Sequence, residues 1–390
     1  MNKIDELIQQ YCPDGVEFVP LSSISELVRG KVISKDYIKD NEGDYPVYSS
    51  QSADDGVMGR IDTYMYDGDY ITWTTDGAYA GTIFRRSGKF NITNVCGLVK
   101  VISKEIILDF LYYWLYVEAP KYVYRGMGNP KLMSNVMGTI SIPLPPLPVQ
   151  EAIVNILDRF AEYTAELQAE LQAELQARQQ QYNYYRDTLL SFEGREDVQW
   201  KKLGEVADLL SGFPFDSSQF TDRGIRLMRG VNIKRGQLCF NDTDDRYWVS
   251  TKGLEKYIVK ENDIVISMDG SLVGRSFGMV KKEYLPLLLV QRVARIRSSI
   301  VNINYIYHCI NNWFPNYVDK KKTQGAIPHI SMKDIANFPI PVPSSKEQER
   351  VATILDRFDT LANDLSQGLP AEIEARQQQY EYYRDQLLTF

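Results

Sequence analysis

An internal duplication limits the folds available to this chain, because two segments repeat one another at a constant spacing of 198 residues. A fixed spacing of this kind indicates that one structural unit occurs twice. The match runs without a gap from residue 143 to residue 190 and from residue 341 to residue 388. It includes Ile156–Phe160 with Ile354–Phe358, Ala177–Tyr182 with Ala375–Tyr380, and Tyr185–Leu190 with Tyr383–Leu388.

The start of each half also matches, more weakly, because Val16–Leu21 resembles Val198–Leu203 at a spacing of 182 residues. Between the matching ends, residues 25–135 and 207–330 show no resemblance. The sequence therefore predicts a variable domain followed by a common helix, twice over. We interpret this as two domains that recognise different targets, each mounted on one copy of the same frame, the frame being the repeated segments 143–190 and 341–388. The alternative is a decayed duplication in which one half is inactive.

The repeated segments have the pattern of long helices. Four prolines between Pro143 and Pro148 block a helix before residue 149, and neither Gly nor Pro occurs from Gln150 to Phe192. A helix of that length spans ~65 Å. Apolar residues recur at steps of three and four in both copies, which is typical of helices that pack lengthwise on a partner. Because a domain separates the two copies, we expect them to pair antiparallel within one chain.

The two helices differ in their middle portions. Residues 165–176 consist of three tandem copies of Ala-Glu-Leu-Gln, and these strong helix formers predict a rigid rod. At the same place the second copy reads Ser366-Gln367-Gly368-Leu369-Pro370, which predicts that one helix ends and another begins with Pro at its first position.

Charge is distributed unevenly along the chain. The formal net charge is −7, but residues 1–150, 151–199, 200–340 and 341–390 carry −4, −6, +7 and −4. The basic segment suits contact with a polyanion, while the acidic helical segments suit contact with protein. The net negative charge of residues 1–150 does not favour contact with a polyanion, so a DNA-binding role for this segment must rest on other grounds.

The rest of the composition predicts a cytosolic globular protein. The hydrophobic fraction of 44% is sufficient for folded domains. Two acids among the first six residues exclude a signal peptide there, and Leu285–Val290 is far too short for a membrane span. Four isolated cysteines (Cys12, Cys96, Cys239 and Cys309) form no CxxC pair, so we expect reduced core residues.

The frame resembles the specificity (S) subunit of type I restriction–modification systems. The resemblance lies in the Pro-x-Pro…Gln-Glu lead-in, the Ile-Leu-Asp-Arg-Phe helix start and the Arg-Gln-x-Gln-Tyr…Tyr-Tyr-Arg-Asp helix end. The tandem tetrads resemble those of the subclass called type IC. The resemblance implies that each variable domain reads one half of a bipartite site on double-stranded DNA and that the helices set the gap. It also implies that two methyltransferase (M) subunits dock on the frame, together with translocating restriction (R) subunits.

These observations predict an α+β chain of two target-recognition domains separated by two long antiparallel coiled-coil helices, with a pseudo-twofold internal repeat. The predicted boundaries are 1–148 and 195–342 for the recognition domains, and 149–194 and 343–390 for the spacer helices. We expect a cytoplasmic, non-catalytic subunit with no cofactor.

Motifs for catalysis are poorly represented. An adenine methyltransferase needs Asn-Pro-Pro-aromatic, and Asn129-Pro130-Lys131 lacks the second Pro. The stretch Gly81–Phe90 has the wrong spacing for a phosphate-binding loop and Phe in place of the hydroxyl that would bind Mg²⁺. The sequence contains two histidines, His308 and His329, so side chains for metal binding or Ser/His catalysis are in short supply. The sequence therefore predicts neither a catalytic nor a metal site.

Candidate DNA contacts lie in both variable domains. In the first, the loops around residues 49–52 and 73–81 combine hydrogen-bonding side chains with turn-forming glycines, and basic residues follow; the alternative is a hairpin with ordinary polar turns. In the second, we expect Gln291 to Arg297 to form a strand and residues 320–325 to form a phosphate-binding loop. The candidates are Ser50, Gln51, Thr74, Thr75, Asp76, Tyr79, Arg85, Arg86 and Lys89 in the first domain, and Arg226, Arg229, Asn232, Lys234, Arg235, Gln291, Arg292, Arg295, Lys320, Lys321, Lys322 and Gln324 in the second.

Two rival functions remain at this point. One is a bivalent protein-binding scaffold with a coiled-coil spacer, which would show no salt-dependent retention on DNA. The other is a free-standing nuclease or methyltransferase, which would turn over DNA with Mg²⁺ or S-adenosylmethionine.

Overall fold

The computed structural model describes residues 3–51, 53–126, 128–322, 328–363 and 368–390. The chain divides into two compact units. One consists of Met1–Glu170 with Glu374–Phe390, and the other of Leu171–Ile373. The helix at Leu147–Leu189 contributes residues to both units.

The strands of the first unit are short. They are β1 (Phe18–Pro20), β2 (Ser25–Arg29), β3 (Glu42–Tyr48), β4 (Val57–Ile61), β5 (Tyr66–Asp67), β6 (Tyr70–Thr74), β7 (Ile83–Arg86), β8 (Lys89–Ile92), β9 (Cys96–Val101) and β10 (Ser141–Pro143). The helices along this part of the chain are α1 (Lys3–Tyr11), α2 (Leu21–Ile24), α3 (Lys35–Asp40), α4 (Leu108–Glu118), α5 (Ser134–Met137) and α6 (Leu147–Leu189).

These strands form two four-stranded sheets and one two-stranded sheet. The strand orders are β2-β9-β6-β7, β4-β3-β8-β5 and β1-β10. Strands β3 and β8 pair in parallel, and the other pairs are antiparallel. The stretch Gly81–Phe90 comprises the turn before β7, β7 itself and the connection into β8, and these two strands belong to different sheets.

The second unit contains β11 (Gln199–Lys202), β12 (Asp208–Ser211), β13 (Ile225–Met228), β14 (Tyr247–Trp248), β15 (Ile258–Val259), β16 (Ile264–Ser267), β17 (Phe277–Met279), β18 (Leu287–Leu289), β19 (Val293–Arg297) and β20 (Pro339–Val342). The helices of this part of the chain are α7 (Leu203–Val206), α8 (Ile303–Asp319), α9 (Met332–Ala336) and α10 (Ser345–Asn363). The last helix of the chain is α11 (Leu369–Leu387), most of which belongs to the first unit.

The sheets of the second unit repeat the topology of the first. Their strand orders are β12-β19-β16-β17, β14-β13-β18-β15 and β11-β20, and β13 pairs with β18 in parallel as β3 pairs with β8. The predicted α+β fold with an internal repeat is confirmed. The two segments that lack sequence resemblance therefore share one fold.

Each unit buries its own core between sheet and helix. In the first unit, Trp73 and Phe110 are buried where β6 faces α4. In the second, Phe314 of α8 packs against Phe338, and Tyr305 is also buried. These aromatic side chains contribute to the buried apolar area that stabilises each domain.

The start of α6 differs from the sequence prediction. The helix begins at Leu147, so Pro148 lies in its first turn rather than outside it. Proline is compatible with this position, because the N–H groups of the first turn have no partner within the helix and the fixed φ of proline is already helical.

The long helices pair within each unit. In the first unit, the rings of Phe160 and Tyr383 lie 6.1 Å apart, and Gln168 Nε2 donates to Gln377 Oε1 at 2.8 Å. Residue numbers rise along α6 while those of their partners fall along α11, so this pair is antiparallel, as predicted. In the second unit, Tyr185 stacks on Phe358 at 5.1 Å.

The predicted interruption of the second helical copy is present. α10 ends at Asn363 and α11 begins at Leu369, with Gly368 in a bend between them. Pro370 is the second residue of α11 rather than the first. Ser366 and Gln367 lie outside the described residues.

A buried glutamine fixes the start of each spacer helix to its domain. Gln150 Oε1 accepts from the Ile107 amide at 2.8 Å, and Gln348 Oε1 accepts from the Asn302 amide at 2.9 Å. Both glutamine Nε2 groups donate to proline carbonyls five residues earlier. The Gln of the repeated Gln-Glu lead-in therefore acts as a structural tie, since each bond satisfies a buried polar group.

The cysteines are only partly as expected. Cys96 and Cys309 are buried, whereas Cys12 and Cys239 are half-buried. Burial raises the pKa of Cys96 to about 12, so its thiol is neutral at physiological pH. Among the described residues, no helix combines the length and apolarity needed to cross a membrane.

Candidate nucleic-acid interface

The loop that follows β6 holds its shape through two buried threonines. Thr74 Oγ1 donates to the Tyr79 carbonyl, and Thr75 Oγ1 donates to Asp76 Oδ2 at 2.6 Å. Both threonines are fully buried, whereas Tyr79 is exposed and Asp76 is half-buried. Of these candidates, Asp76 and Tyr79 are the side chains that the loop presents to solvent.

Arg86 holds the turn after β3 in place through its salt bridge to Asp55. Asp54 and Asp55 adopt left-handed backbone conformations with φ of 50° and 51°. Arg86 Nη1 pairs with Asp55 at 2.5 Å, and Arg86 Nε donates to Thr72 Oγ1 at 3.2 Å. The Arg86 side chain is only 1% exposed, so it is not accessible to a phosphate and serves to position the turn.

Ser50 and Gln51 lie at the start of this turn, and Gln51 Nε2 donates to the carbonyl of Val57. Both residues are half-buried. Ser52, which the sequence grouped with them, lies outside the described residues. Ser50 and Gln51 therefore precede the residues of this turn that Arg86 contacts, at Asp55.

Arg85 is paired with carboxylates of α4 and of the spacer helix α6, and its side chain is 36% exposed. Its guanidinium lies 3.2 Å from both Asp109 and Asp158, and it covers the ring of Tyr112 at 4.4 Å. Tyr113 also donates to Asp158 at 2.7 Å, and burial together with this bond raises the pKa of Tyr113. The Asp of the repeated Ile-Leu-Asp-Arg-Phe motif thus ties α6 to α4, a role that sequence reasoning missed.

The second copy of that aspartate is engaged in the same way. Asp356 accepts from His308 Nε2 at 2.7 Å and from Asn304 Nδ2 at 2.6 Å. His308 is fully buried within α8. The repetition of this aspartate in both copies is a signal that could have revealed its structural role.

Lys89 remains available for an anion. It lies at the start of β8, is exposed, and places its ammonium 4.6 Å from the ring centre of Tyr64. A cation on the face of an aromatic ring keeps its outward side free for a phosphate.

In the second domain, one network organises the residues after β13. Arg226 pairs with the buried Asp245 at 3.0 Å, and Asn232 Nδ2 donates to the same carboxylate at 3.2 Å. Arg229 Nη1 donates to the Asp244 carbonyl at 2.9 Å. Three of the residues predicted to contact DNA therefore lie together in one network, and this network stabilises the segment between residues 229 and 246.

Lys234 and Arg235 lie on that segment and are exposed. The two cations thus project from a part of the chain whose backbone is fixed by the Arg226–Asp245 network. This arrangement suits contact with DNA phosphates, because such a contact requires a positive charge at a defined position but no particular pattern of hydrogen bonds.

The strand expected from residue 291 begins at Val293 instead. Gln291 and Arg292 form the exposed turn between β18 and β19, and Arg292 has a left-handed φ of 64°. Arg295 lies on β19, pairs with Asp208, and has a side chain only 4% exposed. Gln291 and Arg292 therefore lie outside the strand predicted for them, and the Arg295 side chain faces the protein interior.

The lysines at the end of α8 are partly engaged. Asp319 takes a hydrogen bond from Arg275 at 2.7 Å and from Lys322 at 2.8 Å, and these bonds hold the pKa of Asp319 well below its usual range. Lys320 and Lys321 are exposed. Residues 323–325, including the predicted contact Gln324, lie outside the described residues.

Both domains contain the same glycine loop, which the sequence comparison missed. It is Asp76–Gly81 after β6 and Asp269–Gly274 after β16, with the pattern Asp-Gly, three residues, Gly. The first glycines, Gly77 and Gly270, have φ of 97° and 102°. The spacing between these loops is 193 residues, which differs from the spacing at either end of the repeat, so a gap-free comparison does not align them.

The backbone contacts of the two loops also correspond. The Gly77 amide donates to the Pro130 carbonyl at 3.0 Å, and the Gly270 amide donates to the Pro328 carbonyl at 3.1 Å. These bonds fix each loop to a second segment of its own domain.

The second glycine of each loop packs on a valine. A Cβ on Gly81 would lie 2.5 Å from the side chain of Val123, and one on Gly274 would lie 2.7 Å from that of Val318. Only glycine fits such a close approach at φ near 85°. The loops are therefore built alike in detail, although the surrounding sequences differ.

In the parts of the chain that the structure describes, no group of three or more His, Cys, Asp or Glu side chains is placed to hold a metal ion. The polar side chains of both candidate interfaces are instead arranged in hydrogen-bonded networks around exposed loops.

The comparisons with known proteins agree with this geometry. The family model described as type I restriction modification DNA specificity domain matches the chain twice, at residues 13–177 and 195–375. The putative type I specificity subunit S.MpnORF507P of Mycoplasma pneumoniae is 33% identical over 376 residues, covering 95% of this chain and 96% of that protein. The specificity subunit of EcoR124I/EcoR124II from Escherichia coli is 34% identical over 315 residues, covering 74% and 72%.

Solved structures show the same fold at lower identity. A chain from a structure on complex assembly and conformational transition of the type I R-M system superposes with a TM-score of 0.65 at 16% identity, covering 96% of this chain and 98% of that one. The S subunit of the type I system from M. genitalium superposes with a TM-score of 0.55 at 16% identity, covering 96% of each chain.

Proposed function

The chain belongs to the family of type I restriction–modification DNA specificity subunits, and from that premise we propose that its two domains read the two halves of a bipartite DNA site. As a specificity subunit it directs the chemistry of its complex without catalysing it. The proposed domain limits are residues 1–148 and 195–342, with spacer helices at 149–194 and 343–390.

The observation that carries this proposal is the repetition of one topology with two different surfaces. Both domains have the same strand orders, yet the cations differ in identity and in placement. Exposed cations follow β7 in the first domain, at Lys89, and lie on the segment after β13 in the second, at Lys234 and Arg235. Equal folds with unequal contact residues suit two readers of two different sequences.

The spacer helices are proposed to set the gap between half-sites and to dock two methyltransferase subunits. Tyr184 and Tyr382 occupy equivalent positions in the repeat, and both are exposed. Exposed aromatic side chains are enriched at protein interfaces. Their repetition provides two similar surfaces for two copies of one partner, and the restriction subunits would join through the assembled complex.

The tandem tetrads support assignment to the type IC subclass. They lie within α6, which is helical throughout residues 165–176.

A scaffold that binds only proteins remains the rival function, and the salt dependence of DNA binding distinguishes the two. Phosphate contacts predict retention on DNA that falls steeply between about 50 and 200 mM salt, whereas a protein scaffold would show no such retention.

The decisive experiment maps methylated adenines in a host that carries this subunit with its methyltransferase partner. We expect a bipartite motif with an unspecified gap of fixed length. A continuous motif, or methylation that does not depend on this chain, would overturn the proposal.

A further inference from the structure

We propose that Asp76 and Asp269 are base-reading residues, each accepting a hydrogen bond from the exocyclic amino group of a cytosine in its half-site. The inference rests on the proposed function and deepens it, since it names one recognised base for each domain. Both residues lie in the glycine loop that the two domains share.

In the first domain, Asp76 is held by an arginine and a threonine. Its Oδ2 accepts from Thr75 Oγ1 at 2.6 Å and lies 3.3 Å from Arg29 Nη2. The same nitrogen of Arg29 also donates to the Asn94 carbonyl at 2.5 Å. The Asp76 side chain is 26% exposed. Arg29 is therefore a positioning residue, fixed by several acceptors, and Asp76 reaches the surface.

In the second domain, Asp269 has the same place in the loop and the same kind of partner. Its Oδ2 lies 3.2 Å from Arg292 Nη1, and its side chain is 27% exposed. Within the described part of the chain, no hydrogen-bond donor contacts Oδ1 of Asp76 or of Asp269. One oxygen of each carboxylate is thus left to accept a bond from a ligand.

The arginine partners come from different elements of the two domains. Arg29 ends β2, whereas β12, the corresponding strand, ends at Ser211. Arg292 lies in the turn between β18 and β19. Because the two pairs are built from different parts of the fold, they are not a shared remnant of the duplication. The two loops share a carboxylate that is paired with a guanidinium group.

The arginine makes a carboxylate compatible with a DNA surface. Phosphates repel an isolated carboxylate, whereas a paired guanidinium offsets its charge. The first glycine of each loop leaves space for the groove edge, since nothing lies within 4 Å of where a Cβ on Gly77 or Gly270 would stand. The loops can therefore approach base pairs closely.

The chemistry of the free oxygen favours cytosine. A carboxylate only accepts hydrogen bonds, and the major-groove donors are the amino groups of cytosine and adenine. The adenine amino group lies between two acceptors, N7 of its own base and O4 of the paired thymine, and both repel a carboxylate. The cytosine amino group has an acceptor on one side only, O6 of the paired guanine. Each half-site is therefore expected to contain an invariant C·G pair.

The first test maps methylation motifs in the host for Asp76→Asn and Asp269→Asn, each expressed in the full chain with its partners. Asparagine keeps the size of the side chain but adds donors, so the cytosine requirement should relax at one position. Asp76→Asn should affect one half-site and Asp269→Asn the other. Asp67→Asn and Asp222→Asn are matched controls on exposed positions of the same domains and should leave the motif unchanged.

The second test leaves the protein intact and removes the amino group from the DNA. Each invariant cytosine of the mapped motif is replaced in turn by pyrimidin-2-one, which lacks that group, and binding of the unaltered complex is measured. One cytosine per half-site should weaken binding about 10- to 100-fold, as expected for a hydrogen bond to a charged group. With the corresponding Asn variant, the same replacement should have little effect.

These outcomes separate the inference from the proposed function. A bipartite motif for the unaltered chain tests the function alone. The inference is overturned if a half-site has no invariant C·G pair, if no amino-group deletion weakens binding, or if the Asn variants bind every sequence more weakly without any change in base preference. If an Asn variant fails to assemble, the replacement series on the unaltered complex decides.

Discussion

Arginine side chains in this protein divide by burial rather than by their place in the sequence. Arg86 and Arg295 are buried and paired with Asp55 and Asp208, whereas Arg292 is 67% exposed. A buried guanidinium needs hydrogen-bond partners, and here its partners fix turns and strand edges next to the exposed loops. Such residues shape the exposed loops but are not themselves accessible from solvent.

Arg86→Ala should therefore destabilise the first domain. The change removes bonds to Thr72 and Asp55 and the contact with the Tyr48 ring at 3.7 Å, for a loss of about 2–4 kcal/mol. The measurement is the thermal midpoint of the purified chain, with Arg60→Ala, an exposed position, as the control. Equal midpoints for the two variants would contradict the structural role assigned to Arg86.

At the scale of elements, α6 combines a rigid middle with fixed ends. Gln150 and Asp158 tie its beginning to the first domain, and Tyr182 near its end accepts a bond from Asn311 of α8 at 2.8 Å. The tetrads lie between these ties. A change in the number of tetrads is therefore transmitted along a continuous helix rather than absorbed in a loop.

Deleting Ala169–Gln172 should shorten the gap between half-sites while leaving both half-sites unchanged. Four residues remove ~6 Å of helix and ~400° of winding, a net rotation of only ~40°, so the leucine stripe nearly keeps its place. One base pair adds ~3.4 Å and ~34° of rotation, so we expect a gap shorter by about one or two pairs. The bend at Gly368 is the expected point of adjustment in the partner helix. The measurement is the methylation motif.

A two-residue deletion in the same place provides the contrast. It turns the stripe by ~200° and should disrupt the packing of α6 on its partner helix, with loss of methylation. An unchanged gap in the four-residue deletion, or normal activity in the two-residue deletion, would refute the role of α6 as a ruler.

At the scale of the whole molecule, each domain carries its own core and its own copy of one topology. Core residues and sheet pairings of the first domain involve residues of the first unit, and those of the second domain involve residues of the second. Domains built in this way are expected to fold as separate cooperative units.

Exchanging residues 25–135 for the matching part of another family member should change one half of the recognised site and leave the other half intact. The sequence resemblance is confined to the frame, so the exchanged segment would carry the proposed base contacts of one domain only. The methylation motif of the chimera is the measurement. A change in both halves would show that the domains do not read independently.

The frame could be predicted from the order of the amino acids: the duplication, the long helices, the break near Gly368 and the division into two α+β domains. These features depend on local propensity and on hydrophobic periodicity, which can be read along the chain. Which polar residues are exposed followed from the packing of the folded chain. Arg86 and Arg295 appeared equivalent to Lys89 and Arg292 in the sequence, because burial depends on contacts between distant segments. The correspondence of Asp76 with Asp269 also emerged only from strand pairing, since insertions between the strands shift sequence spacing without changing the hydrogen-bonded order of the sheet.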